Sequence, residues 1–130
     1  MRFKCTINKA NLHILINILT CLSRITIKAA IYLSPTHMRI ASITNQDISK
    51  CYVELNNQNL YVDYIIESLN DNNLLFEINL NNFIHALSSG KDTNMIVMKL
   101  VKRNQLPCLC IEMTSNNNIG IDITHDIPIE

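Results

Sequence analysis

Apolar and polar residues alternate with two different periods along this chain, and each change of period marks a new secondary-structure element. Leucines recur every three or four residues between Asn8 and Leu22, which predicts an amphipathic helix. Directly after it, apolar residues occupy every second position from Ile25 to Leu33, which predicts a strand with one buried face. A first helix is therefore followed by extended structure.

The same two periods divide the rest of the chain. Leu80 to Leu87 has helical spacing, and Gly90 stands where a glycine commonly caps a helix. The segment 60–69 fits either a strand or a short helix. Further strands are predicted at Arg2–Ile7, His37–Ile43, Lys50–Leu55, Leu74–Ile78, Met95–Val101, Leu106–Met113 and Ile119–Ile129. This order predicts an α+β domain of antiparallel strands whose two helices share one face.

Length and charge narrow the class of protein. The 130 residues with 48% hydrophobic content predict a single domain, 1–130, that buries a core of ordinary size. The net charge is +0 and only 17% of residues are charged, so any contact with DNA must use a local face. No apolar run approaches the roughly 20 residues of a membrane helix, and the start MRFKCTINK lacks the apolar stretch of a signal peptide. A cytoplasmic or nuclear protein without a membrane partner is predicted.

The cysteines and histidines give no clear sign of catalysis or metal binding. The five cysteines are scattered and include no C-x-x-C pair, so we expect reduced, mostly buried thiols and neither a metal site nor a cofactor. Glycine occurs only at Gly90 and Gly120, which leaves little material for a phosphate-binding loop. His125 alternates in phase with neighbouring isoleucines, which predicts a half-buried, hydrogen-bonded side chain. No enzyme is predicted.

Polar side chains form a stripe along each predicted helix. On the first helix the stripe opposite the leucines is Lys9, His13, Asn17, Thr20 and Arg24, and on the second helix it is Asn81, His85 and Ser88. Cations are few in both stripes. The residues alone therefore favour ordinary solvated helix faces over a binding surface.

Four short stretches carry a resemblance to a known family. MRFK before a helix, the strand AIYLSP, the strand LPCLCIEM and above all THDIPI resemble the first domain of the Hus-type subunit of the 9-1-1 DNA-damage checkpoint clamp. That clamp is related to the proliferating cell nuclear antigen, PCNA. The resemblance covers the whole chain in order, and LPCLCIEM and THDIPI favour a checkpoint clamp over the replicative PCNA type.

The resemblance implies a nuclear platform for DNA-damage signalling and repair factors that performs no catalysis. Two other clamp subunits would complete a ring, a clamp loader would place it on DNA, and duplex DNA would pass through without sequence readout. The helix faces would line the hole, with Lys9, His13, Asn17, Thr20, Arg24, Asn81, His85 and Ser88 towards the DNA. The family tends to have basic residues where His85 and Ser88 stand, so weak attraction of DNA is implied, to which Lys28 and Lys91 can add.

The resemblance also assigns the sheet edges. Ile119, Ile121, Ile123 and His125 would lie at the boundary with another subunit, and Lys50, Tyr52 and Glu54 at the edge facing a second clamp domain. Because the last stretch, THDIPIE, carries Ile127 and Ile129 almost to the last residue, we expect this to be the first domain of a longer protein. An isolated domain with two open edges is expected to self-associate. A stand-alone protein-interaction module and a replicative PCNA-type clamp are the alternatives.

Overall fold

Nine strands and three helices follow one another in residues 2–43, 51–68, 72–90, 95–114 and 122–129, which the computed structural model describes. They are β1 Arg2–Asn8, α1 Lys9–Ser23, β2 Lys28–Leu33, β3 His37–Ser42, β4 Tyr52–Asn56, α2 Asn57–Leu60, β5 Asp63–Glu67, β6 Leu74–Asn79, α3 Leu80–Ser88, β7 Met95–Arg103, β8 Leu106–Thr114 and β9 Asp122–Pro128. The segment 60–69, which fitted a strand or a helix, begins at the last residue of the short α2 and contains β5. The two predicted helices are confirmed, and α2 is a third that the sequence pattern did not separate.

The strands form two antiparallel sheets. The five-stranded sheet has the order β5-β1-β7-β8-β9, and the four-stranded sheet has the order β4-β3-β2-β6. Every pairing in both sheets is antiparallel. The predicted α+β class with antiparallel sheets is therefore confirmed.

The domain is built from two copies of one unit, β1-α1-β2-β3-β4 and β6-α3-β7-β8-β9. The first strand of each unit pairs with the second strand of the other, because β1 lies beside β7 and β6 lies beside β2. The dipeptide Ile-Asn ends both first strands, at Asn8 and Asn79. The Asn8 Oδ1 accepts from the Asn11 backbone N–H at 2.9 Å, and the Asn79 Oδ1 accepts from the Asn82 N–H at 3.1 Å. Both long helices thus begin with the same cap.

The core lies between the sheets and the apolar faces of α1 and α3, which also pack against each other. From α1 the buried side chains are Leu12, Leu15, Ile16, Leu19 and Leu22, and from α3 they are Leu80, Phe83, Ala86 and Leu87. The leucine pattern seen in the sequence is therefore the core face of α1. The opposite faces of both helices are left to solvent.

Gly90 follows the end of α3 but is not the glycine cap that the sequence predicted. The cap residue is Ser89 with a right-handed helical backbone, φ −68°, and Gly90 after it does not adopt the left-handed conformation of a glycine cap. A Cβ at Gly90 would stand 2.5 Å from Ile96 Cδ1 and 3.1 Å from Met113 Sδ. A side chain at this position would therefore displace the ends of the Ile96 and Met113 side chains, and glycine avoids that contact.

Candidate nucleic-acid face and strand edges

The polar stripes lie on the solvent side of α1 and α3. Lys9, His13, Asn17 and Arg24 are exposed, while Thr20 is half-buried and donates its hydroxyl to the Ile16 carbonyl at 2.7 Å. On α3, Asn81 and His85 are exposed and Ser88 is half-buried. The two helices pack against each other, and we call their two polar stripes together the helix face.

The helix face carries little charge. Lys9 begins α1 and Arg24 caps its end, so the two cations are separated by about 22 Å of helix. Neither of them belongs to the three ion pairs of the described residues, which are Arg39–Glu54, Lys99–Glu112 and Arg103–Asp126. Between them stand neutral donors and an isoleucine that the sequence pattern did not single out, Ile14, whose side chain is 51% exposed. The face can hydrogen-bond and attract anions at two points.

Strand β4 is one outer edge of the four-stranded sheet. The Ser42 N–H donates to the Cys51 carbonyl at 2.8 Å and the Asn57 N–H to the Thr36 carbonyl at 2.9 Å, which fixes the pairing pattern with β3. Residues Tyr52 and Glu54 consequently direct their backbone groups away from β3. The predicted edge residues Tyr52 and Glu54 are thus placed to receive another strand, and Lys50 lies outside the described residues.

The side chains of that edge form a small cluster on the outer sheet surface. Arg39 pairs with Glu54 at 3.5 Å, and its guanidinium carbon stands 5.4 Å from the centre of the Tyr52 ring. Tyr52 remains 61% exposed. An aromatic ring and an arginine beside an open edge suit contact with another protein surface.

Strand β9 is an outer edge of the five-stranded sheet. The Ile129 N–H donates to the Pro107 carbonyl at 3.2 Å, so Ile123 and His125 direct their backbone groups towards β8. The groups that face outwards belong to Thr124 and Asp126. The resemblance assigned Ile123 and His125 to the boundary, whereas the outward backbone positions were missed because sequence does not reveal which alternate residues bond inwards.

The remaining predicted boundary residues, Ile119 and Ile121, lie outside the described residues, as does Lys91. Pro128 near the end of β9 has no N–H and therefore limits pairing at that end of the edge. Ile123 is 41% exposed, so this edge also presents apolar surface.

His125 is half-buried and hydrogen-bonded, as the sequence predicted. The Ser89 hydroxyl donates to the Ala86 carbonyl at 2.7 Å, so its single hydrogen is used there. The His125 Nε2 lies 2.9 Å from Ser89 Oγ, and this hydrogen bond joins β9 to the end of α3.

The thiols are mostly buried, as predicted. Cys5, Cys108 and Cys110 are buried, Cys51 is half-buried and Cys21 is exposed, and all five are unpaired. Burial, together with the nearby Asp126 and Glu112 carboxylates, raises the pKa of Cys110 to about 11. A thiol protonated at neutral pH is a poor nucleophile.

The described segments contain no group of three or more histidine, cysteine or acidic side chains placed to hold a metal ion. None of their helices is long and apolar enough to cross a membrane.

The chain matches one family model, "Hus1-like protein", over residues 1–130. It is 28% identical over 131 residues to "Checkpoint protein hus1" of Schizosaccharomyces pombe. That alignment covers 99% of this chain and 45% of the yeast protein, so the chain spans less than half of that relative's length.

Solved structures share the fold. A PCNA from Thermococcus kodakaraensis superimposes with a TM-score of 0.73 at 12% identity, covering 98% of this chain and 46% of the PCNA chain. A beta clamp from H. pylori gives a TM-score of 0.69 at 13% identity, covering 98% of this chain and 30% of the clamp chain. At such identities the likeness concerns the fold, which is that of a sliding-clamp domain.

Proposed function

Because the chain belongs to the Hus1-like family, we propose that it is a clamp domain of a DNA-damage checkpoint clamp subunit. It acts in the nucleus with two other clamp subunits in a ring that a clamp loader places on duplex DNA. The ring serves as a platform for signalling and repair factors, and this domain performs no catalysis. Family membership does not favour the replicative PCNA-type clamp or a stand-alone interaction module.

The observation that carries this proposal is the position of the two open edges. Strands β4 and β9 are the last strands of the two equivalent units, and each is the outer strand of its sheet. A β4-type edge that receives a β9-type edge joins different surfaces, so the contact is heterologous and closes into a ring if the rotation allows. Such joins continue the sheets around the outside and leave the helix face towards the centre.

The chemistry of the helix face suits a duplex that passes without being read. Lys9 and Arg24 can each displace a counterion from a phosphate, and Asn17, Asn81 and His85 offer further hydrogen-bond donors. Two cations contribute at most about 1.8 to the slope of log K against log salt for B-DNA. This domain therefore guides the duplex weakly, and the other domains of the ring must supply most of the attraction.

The test is a charge reversal in the assembled ring. We expect the Lys9→Glu, Arg24→Glu variant to bind a fluorescent duplex more weakly than the parent ring and with a salt slope lowered by about 1.8. Fluorescence anisotropy at several salt concentrations measures both quantities. The matched control is Lys102→Glu, an exposed lysine at the end of β7 away from the helices. If the helix-face variant binds no worse than this control, the helix face does not meet DNA.

A further inference from the structure

The outer edge of β6 is open in the described part of the chain, although the equivalent edge in the other unit is covered. In the five-stranded sheet, β1 is flanked by β7 on one side and β5 on the other. Among the described residues, the equivalent strand β6 pairs with β2 alone. Within those residues the four-stranded sheet thus has no counterpart of β5.

The hydrogen-bonding pattern identifies the backbone groups left open. The Leu80 N–H donates to the Ile27 carbonyl at 2.9 Å, which places Ile78, Phe76 and Leu74 in the positions that bond to β2. Leu75 and Glu77 consequently direct their N–H and C=O groups away from the sheet.

The matching Ile-Asn pairs at the ends of β1 and β6 make Leu75 and Glu77 the counterparts of Lys4 and Thr6. Those two residues lie opposite Ile65 and Asp63 of β5. In the other unit, β5 therefore pairs with β1 at the positions equivalent to Leu75 and Glu77 of β6.

The side chains along this edge leave room for a ligand. Leu75 is 69% exposed, and an open cleft of about 270 Å³ lies against it between Ala30, Phe76 and Glu77. A second cleft of about 170 Å³ follows the strand towards Pro128, with Lys28 and Asn82 among its lining residues. Glu77 belongs to none of the ion pairs of the described residues. The edge thus offers apolar surface at one position and negative charge two residues further on.

We propose that the β6 edge is a docking site for an extended segment of a partner protein, which adds to the four-stranded sheet as an antiparallel fifth strand. Backbone hydrogen bonds from Leu75 and Glu77 hold the segment, and its side chains supply selectivity. In the antiparallel direction the residue opposite Glu77 precedes the residue opposite Leu75 by two positions. The segment therefore reads basic-x-aliphatic, with lysine or arginine beside Glu77 and an aliphatic side chain beside Leu75.

The test uses two capped heptapeptides, Ser-Thr-Lys-Thr-Ile-Thr-Ser and its Glu-for-Lys counterpart, titrated into ¹⁵N-labelled protein. We expect the lysine peptide to give saturable shifts of the Leu75 and Glu77 amides at millimolar concentration and to slow their hydrogen exchange. The amides of Phe76 and Ile78 should respond less, because they already bond to β2. Glu77→Lys should reverse the preference between the two peptides by about threefold each way.

Two further variants test whether the peptide binds at the β6 edge. Leu75→Pro removes one outward N–H without touching the β2 ladder and should abolish the peptide response. Glu67→Lys makes the same charge change on β5 and should leave both peptides unaffected. If Leu75→Pro fails to fold, the Glu77→Lys reversal still decides.

Three outcomes would overturn the proposal. One is the absence of saturable binding by either peptide. Another is a shift of amide signals in β4 or β9 without a shift in β6, which would indicate that the peptide pairs with any strand edge. The third is protection of the Leu75 and Glu77 amides without peptide, because another part of the same chain or, if protection rises with protein concentration, a second copy then already occupies the edge.

Discussion

The unit from β1 to β4 has a helix of fifteen residues and a five-residue edge strand, whereas the unit from β6 to β9 has a nine-residue helix and a seven-residue edge strand. The shorter helix ends where Ile96 and Met113 approach Gly90. At the equivalent point of the longer helix stands Leu19, which is fully buried in the core. The two units therefore differ in how much helix surface they present, while the sheet pairing is kept.

The largest expected effect is a loss of stability when equivalent core side chains, Leu12 in α1 and Phe83 in α3, are truncated. Both side chains are fully buried, so truncation leaves a cavity. We expect Phe83→Ala to lower the free energy of unfolding by about 3–5 kcal/mol and Leu12→Ala by about 2–5 kcal/mol. Urea unfolding measures both. The half-buried Ile84 is the control, and an equal loss on Ile84→Ala would show that α3 does not anchor its half of the core.

The next effect concerns the two open edges. If β4 of one copy pairs with β9 of another, proline at either outward position should reduce self-association of the isolated chain at least tenfold. Thr124→Pro and Glu54→Pro are the variants, and light scattering on a size-exclusion column at rising concentration is the measurement. Leu75→Pro on β6 is the control. A strictly monomeric parent, or an effect of only one of the two prolines, would break the proposed equivalence of the edges.

A smaller effect compares the two identical helix caps. We expect Asn79→Ala to cost about 1 kcal/mol of stability and Asn8→Ala somewhat less. The first turn of α1 has a second tether, because the Asn11 side-chain amide donates to the Leu60 carbonyl at 2.9 Å. Aspartate at either position should restore the lost stability in thermal unfolding. Equal losses at both caps would mean that the tether to α2 contributes nothing.

The smallest effect lies in the hairpin between β7 and β8. Asn104 and Gln105 both have left-handed backbones, with φ of 52° and 67°. Asparagine tolerates this conformation better than glutamine, so Gln105→Gly should stabilise the domain by about 0.5 kcal/mol, because the entropy that glycine adds to the unfolded chain offsets part of the relieved strain. Asn104→Gly should gain less. A melting temperature that does not rise for Gln105→Gly would show that the turn is unstrained.

Much of the fold follows from the sequence because burial imposes its period on the chain. The leucines of α1 and the alternating residues of β2 and β8 mark their elements correctly. The short α2 was not separated because four residues hold barely one turn and no apolar period. The sequence did not predict the repeat of two units, because the two units share little more in sequence than the Ile-Asn dipeptides before their long helices.

The candidate surfaces were less predictable than the fold. Exposure of Lys9, His13 and Asn17 follows from helical spacing, and the structure agrees. The outward groups of Thr124 and Asp126 depend on which alternate residues bond to β8, and side-chain patterns do not encode that choice. The open edge of β6 becomes visible only when the two units are compared in space.

The first strand of each unit pairs with a strand of the other unit, so β1 cannot pair with β7 until most of the domain has been translated. Cys5 in β1 pairs with Met98 in β7, which is 93 residues further along (98 − 5). At about 5–20 residues per second, β1 waits roughly 5–20 s before its neighbour is translated. During that interval the five-stranded sheet cannot be completed, so the apolar faces of β1 and α1 stay exposed and accessible to chaperones. The protein can reach its native state only after most of the domain has left the exit tunnel.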